Sequence, residues 1–475
     1  MPERVVIVTS RVVAGVVGIA VAAATIAAAA LLPLPSVERS PASLSVTPEP
    51  AAKQLVCPGA VLQLGETGGQ NASVASPIGQ PVLSLSASTG SFESTSLRQT
   101  TADTDADGYP TLVTAPADSA ASIAGAQYQT VDRDDYRGLA AAACALPSSD
   151  SWLVGGSTAV GRTTLLTIAN PGTVDSTVAI ELFSNDGPVE APGLTGLVIA
   201  ANSQRVVSLA GFGPGLTSLA LHITSQGGPV VANLQEAIVR GIEPSGVDIV
   251  GTTAAPDTTT VIPGVHVRDA EAVAGRLGEE GFADLDTVLR AYVPGDAAAQ
   301  ATVRIIPEDA ALTGASFELA LDPGVVTDIP VEGLVDGSYS VVVETSVPVV
   351  AAMRVSTVAA VKVGSTPAGA SDLAWFAAAT VLGESVFASV VDGDGASLHL
   401  VNPGESAATV TVGTESLSVP AGAAITVELA TDDALALRGT VGLYASISAA
   451  APGRLASYLL ASGASGEAPV TVFPR

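Results

Sequence analysis

Basic side chains are scarce in this 475-residue chain: 19 Lys and Arg stand against 46 Asp and Glu, a formal net charge of −27. A protein that grips nucleic acid needs a cationic face to neutralise phosphates, and this balance argues against that partner. Cysteine (2) and histidine (3) are nearly absent, too few for zinc fingers or iron–sulfur clusters. Aromatics make up 4% and charged residues 14%. What is present is apolar: 48% of residues, enough to bury a sizeable core and to argue against disorder along the whole length. The length suits about three or four domains.

The first uncharged stretch follows Arg11, and its apolar core runs from Val12 to Leu32. Twenty-one residues at ~1.5 Å each span about 31 Å, one hydrocarbon core. Arg4 and Arg11 precede it and the next arginine is Arg39, so the positive-inside rule leaves residues 1–11 in the cytoplasm and the remainder outside. The expectation is a single-pass anchor over 12–32, with the cell membrane as its partner. The alternative is secretion after cleavage of a signal peptide, for which the Ala-rich positions 22–30 offer small-residue sites, although a signal h-region is shorter. A Pro/Ser-rich stalk follows over 33–54.

Cys57 and Cys144 are the two cysteines, and an oxidising compartment pairs them. Short β-like runs lie between them, so 55–147 is predicted as a disulfide-closed β domain. The remainder shows a threefold repeat. A strand runs into a turn at Asn170-Pro171-Gly172 and at Asn402-Pro403-Gly404, with a degenerate copy at Val293-Pro294-Gly295. A 13-residue strand–turn–strand follows at Leu197–Leu209, Phe317–Ile329 and Leu417–Leu429, read as a hairpin. A second hairpin is read from Leu219 to Ala232, Tyr339 to Ala351 and Val441 to Ala456. The period-two alternation gives each strand one buried face. The predicted fold is therefore mainly β: an N-terminal transmembrane helix, the disulfide domain, and three tandem immunoglobulin-like β-sandwich units over 148–250, 261–363 and 371–475. Gly241–Thr260 and Gly364–Ser371 read as linkers. Trp152 and Trp375 read as core plugs near the first strands of units one and three.

The chain carries Leu31-Leu32-Pro33-Leu34-Pro35, Cys57-Pro58-Gly59, Ala141-Ala142-Ala143-Cys144, Trp152-Leu153-Val154-Gly155-Gly156 and Val261-Ile262-Pro263-Gly264. With these marks and Asn170-Pro171-Gly172, it resembles an uncharacterised actinobacterial family of secreted or membrane-anchored proteins, known only as a domain of unknown function. The resemblance implies an envelope protein and brings no catalytic residues.

Chemistry is sparse. His222 and His399 alternate with apolar neighbours and read as solvated-face residues; His266 lies on an apparent strand. A serine nucleophile needs a histidine beside it, and no such pairing is visible. Asp103, Asp105 and Asp107, followed by Gly108, place carboxylates at alternate positions, a spacing that suits Ca²⁺. The favoured reading is a solvated acidic turn, because an EF-hand Glu is missing where Thr114 stands; Ca²⁺ is the sole cofactor the sequence suggests. The expected function is non-enzymatic: a structural or binding component of the cell envelope, with envelope glycan or envelope proteins as partners. The alternatives are an accessory factor for envelope glycan assembly and a glycan hydrolase using two carboxylates.

Overall fold

The computed structural model describes residues 13–25, 44–46, 52–65, 74–99, 108–117, 121–133, 135–364, 366–391, 395–429, 434–462 and 470–472. Residues 1–49 and 466–475 form one body, in which Leu44–Val46 pairs antiparallel with Val470–Val472; residues 50–465 form the other. Within the predicted anchor, residues 13–25 are helical. No helix among the described residues is long and apolar enough to cross a membrane. The rest of the anchor lies outside the described residues.

The large body is mainly β, and its strands repeat one topology. In unit one, the first strand Asp150–Val154 pairs with the sixth, Leu219–Gln226. The sixth pairs with the third, Ser176–Ser184, which pairs with the fourth, Leu197–Ile199. The facing sheet sets the fifth strand, Ser203–Ser208, beside the second, Arg162–Asn170. The second pairs in turn with the seventh, Val231–Arg240, and the seventh with the eighth, Glu243–Val250. Unit two repeats both orders, 1-6-3-4 and 5-2-7-8, from Asp257–Val267 to Ser371–Ala377. Unit three repeats them from Ser385–Ser389 to Arg454–Leu459. Each pair of sheets encloses its own apolar core, with Leu166, Ile180 and Leu221 in the first, Val303, Val341 and Met353 in the second, and Leu398, Val410 and Ile447 in the third.

Five of the six strand–turn–strand pieces read as hairpins are corners between sheets; the sixth, Val441 to Ala456, is a hairpin, with Tyr444–Ala451 paired antiparallel to Arg454–Leu459. Strands four and five lie in opposite sheets, as do six and seven; in unit two the latter are one bent strand, Gly337–Val358. Alternation and turn residues specify that the chain reverses, not which neighbour it then pairs with. In unit three the corner lies between Ala434–Arg438 and Tyr444–Ala451, one strand earlier than the sequence pattern places it. The stretch Gly241–Thr260 is not a linker throughout, because Glu243–Val250 within it is the eighth strand. That strand is hydrogen-bonded on one side only, where Pro244 is tolerated. Ser371–Ala377, expected to open unit three, closes unit two, so Trp375 stands on a last strand and Trp152 on a first.

The disulfide domain is a fourth, shortened copy. Its strands Lys53–Cys57, Thr111–Ala115 and Glu93–Ser96 give the order 1-6-3, and Val82–Ala87, Ile123–Asp132 and Arg137–Ala143 give 2-7-8. The cysteines are bonded as predicted. Cys57 ends the first strand and Cys144 follows the eighth, where Val56 bridges to Ala145. Units one and two make the same bridge without a disulfide, Trp152 to Thr253 and Val261 to Ala379.

The four copies close into a ring. Their eighth strands pack each against the next and the last against the first. Small residues (Gly138, Ala140, Ala142, Gly246, Ala374, Ala456) permit that approach. Each first-strand segment also seats on the following copy. Gln204 donates to the Pro58 carbonyl, Arg290 to that of Gly156 and Ser446 to that of Pro263, and Ser389 of unit three meets Ser86 of the disulfide unit at 2.7 Å.

Candidate functional site at the junctions between units

The polar side chains that the fold buries collect where the copies meet. At the ring axis stands Asp372, fully buried. Its Oδ2 accepts the backbone N–H groups of Leu139 (2.8 Å) and Leu455 (3.0 Å), and its Oδ1 those of Leu373 (2.9 Å) and Val247 (3.2 Å). One donor comes from each copy, all from eighth strands. Burial raises this carboxyl to about 8, and the four N–H bonds pull it down less strongly. Beside it Asp248 accepts the N–H groups of Trp375 (2.7 Å) and Ile249 (2.9 Å), and burial raises it as well.

Between units one and two, Arg290 is 0% exposed. Its guanidinium forks onto Asp328 at 2.7 and 2.9 Å, donates to the Gly156 carbonyl (2.7 Å) and lies over the Trp375 ring. Burial pushes Asp328 up, but the Arg290 guanidinium, together with the Ser218 hydroxyl and the Arg354 charge, holds the carboxyl below its ordinary value. The Trp375 indole N–H donates to buried Glu236 (2.7 Å). Between the disulfide unit and unit one, the Gln235 amide exchanges two bonds of 2.7 Å with the backbone of Leu62.

Between units two and three, His399 is buried rather than solvated. Its Nδ1 meets Glu308 Oε2 at 2.6 Å and its Nε2 meets Ser448 Oγ at 2.8 Å. Glu308 also accepts from Ser340 (2.6 Å) and from Thr426. Burial raises Glu308, while the imidazole and these donors together bring it below its ordinary value. The alternation along the strand turns His399 away from its own core. That face is covered by the next copy, with Gly264 lying directly against the imidazole. Arg290 occupies the same strand position in unit two and is buried for the same reason.

Ser448, His399 and Glu308 have the connectivity of a nucleophile, base and acid. Ser448, however, is 1% exposed and lies on a strand hydrogen-bonded on both sides. In this arrangement the three groups hydrogen-bond across two units and present no nucleophile to solvent.

His222 is half-buried, stacked on Trp152 at 4.3 Å between ring centroids. Its Nδ1 faces Glu181 (2.9 Å) and its Nε2 faces Asp150 (3.2 Å). The carboxylates sit on opposite edges of the ring and do not converge on a common point. His266 Nδ1 meets Ser338 Oγ at 3.0 Å. Asp103, Asp105 and Asp107 lie outside the described residues, and among the described residues no three His, Cys, Asp or Glu side chains are placed to hold a metal ion. Trp152 and Trp375 are both buried, in the core of unit one and its border with unit two.

The geometry defines a class: a closed ring of two-sheet β units, locked by buried polar groups at each junction and by one disulfide. A family model for DUF5719, a family of unknown function, matches residues 100–440, and the chain belongs to that family. No curated protein matches the chain.

Proposed function

We propose that the protein is an exported, membrane-anchored structural or binding component of the cell envelope, and that it is not an enzyme. The observation that carries this reading is the Cys57–Cys144 disulfide, which joins the first strand of the ring to the exit of its first unit. Such a bond persists in oxidising compartments. The apolar stretch 12–32 then supplies the anchor and 33–54 the spacer. The ring serves as a rigid body, because its buried ionisable groups are engaged in joining units. Kinship with immunoglobulin-like sandwiches rests on two pairings, second strand with fifth and third with sixth.

The test is protease treatment of intact cells, followed by non-reducing electrophoresis of the membrane fraction. The expected result is a membrane-bound, oxidised chain whose ring is reached from outside. A chain found mainly in the culture supernatant would overturn the anchor. A reduced chain protected in intact cells would overturn export, and turnover of an envelope polymer by the purified protein would overturn the non-enzymatic role.

A further inference from the structure

The four junctions of the ring differ in their chemistry. Amide-to-backbone bonds from Gln235 join the disulfide unit to unit one. A guanidinium–carboxylate fork joins unit one to unit two. A hydroxyl pair, Ser86 with Ser389, contributes to closing the ring. The junction between units two and three alone carries buried imidazole among the described residues. His399 lies inside it, and His266 lies at its margin on the strand that contributes Pro263 and Gly264.

We propose that this junction is an acid-sensitive latch, at which the ring opens first when the surroundings are acidified. The charges facing it set the direction. His399 touches Glu308, Ser448 and Thr426, so its proton has an acceptor in Glu308. His266 has Ser338 as its hydrogen-bond partner, with His399 and Arg268 nearby disfavouring its charged form and Glu308 and Asp336 nearby favouring it. Burial, then the His399 and Arg268 charges, lower His266 to about 4, and Glu308 and Asp336 offset this only in part. The closed junction therefore holds His266 neutral, and the open one lets it charge at its ordinary value of 6.5. Protons are taken up on opening, so acid favours the open form between those two values. From pH 7.5 to pH 5 the linkage raises the opening equilibrium about 30-fold.

The test is peptide-resolved hydrogen exchange on the full chain at pH 7.5 and pH 5, corrected for the pH dependence of chemical exchange. Strands 397–402 and 444–451 are expected to open about 30-fold more at pH 5, while 162–170 and 231–240 change by less than about threefold. His266→Gln should reduce the change at the junction to below about threefold while matching the wild-type pattern at pH 7.5. His222→Gln, away from the junction, should leave the wild-type response intact. A rise shared equally by all units would overturn the latch, as would a junction indifferent to pH. Should His266→Gln fail to fold, the wild-type profile alone decides between these outcomes. A folded His266→Gln that keeps the full response would remove His266 from the role.

Discussion

Replacing Asp372 tests the ring at the point where all four copies meet. Asp372→Asn preserves the volume but turns an NH₂ group toward two of the four backbone donors, either Leu139 and Leu455 or Leu373 and Val247. Two buried N–H groups lose their acceptor at about 1–3 kcal/mol each, so a loss of at least ~3 kcal/mol is expected once donor–donor repulsion is included. Asp372→Ala strands all four donors and should cost more, by up to several kcal/mol, less whatever an entering water recovers. The assay is urea unfolding at constant ionic strength, comparing midpoints at equal slope. The dependence on pH is a second, independent reading. The folded carboxyl, at about 8, lies above its unfolded value of 3.8. Its contribution is therefore fully present below pH 3.8 and is lost as pH rises through 8. The gap between wild type and Asp372→Asn should therefore narrow as pH rises across that window. A gap below about 1 kcal/mol at every pH would refute the keystone role. A gap that widens with pH would show instead that the four N–H groups outweigh burial.

Other perturbations probe the neighbouring joints. Gly138→Ala should cost about 1–3 kcal/mol, because a Cβ there overlaps Asp372 Oδ1, and thermal melting would register it. Arg290→Ala should cost about 3 kcal/mol by leaving Asp328 without its cation, and adding Asp328→Ala should recover part of that loss in a double-mutant cycle; additivity would show the pair to be uncoupled. Replacing both Cys57 and Cys144 with Ser should lower stability by about 2–5 kcal/mol and abolish the mobility difference between reduced and oxidised protein.

Which parts of this architecture the sequence reveals follows from what each signal constrains. The Asn-Pro-Gly turn is a local device, and both copies work alike. The Asn170 and Asn402 side chains each donate to the carbonyl four residues on (2.8 Å) and accept the N–H two residues on. Local chemistry of this kind survives translation into structure. Partner choice does not, because a corner between sheets and a hairpin need the same turn residues. The fourth copy is hard to see in the sequence because its fourth and fifth strands have no counterpart among the described residues, and the most recognisable repeat signal is lost with them. A trace remains at Cys57-Pro58-Gly59 and Ile262-Pro263-Gly264. Gly59 and Gly264 both adopt positive φ, as does Gly156 at the matching place in unit one.

His399 shows the same limit at a single residue. Alternation fixes which side of its sheet the imidazole occupies, but whether that side meets water depends on whether another unit covers it. The repeat held a usable clue: Thr167, Arg290 and His399 share one strand position, and all three are buried. A position that is polar in every copy, on a sheet whose other face is the core, is suited to a surface or to a joint. Ring closure decides between them, since it leaves each such face against the preceding unit. Asp372 follows from the same geometry. The eighth strands approach around an axis through glycine and alanine, and their backbone N–H groups converge there without a strand to accept them. A single carboxylate side chain supplies the acceptors that a sheet neighbour would otherwise provide.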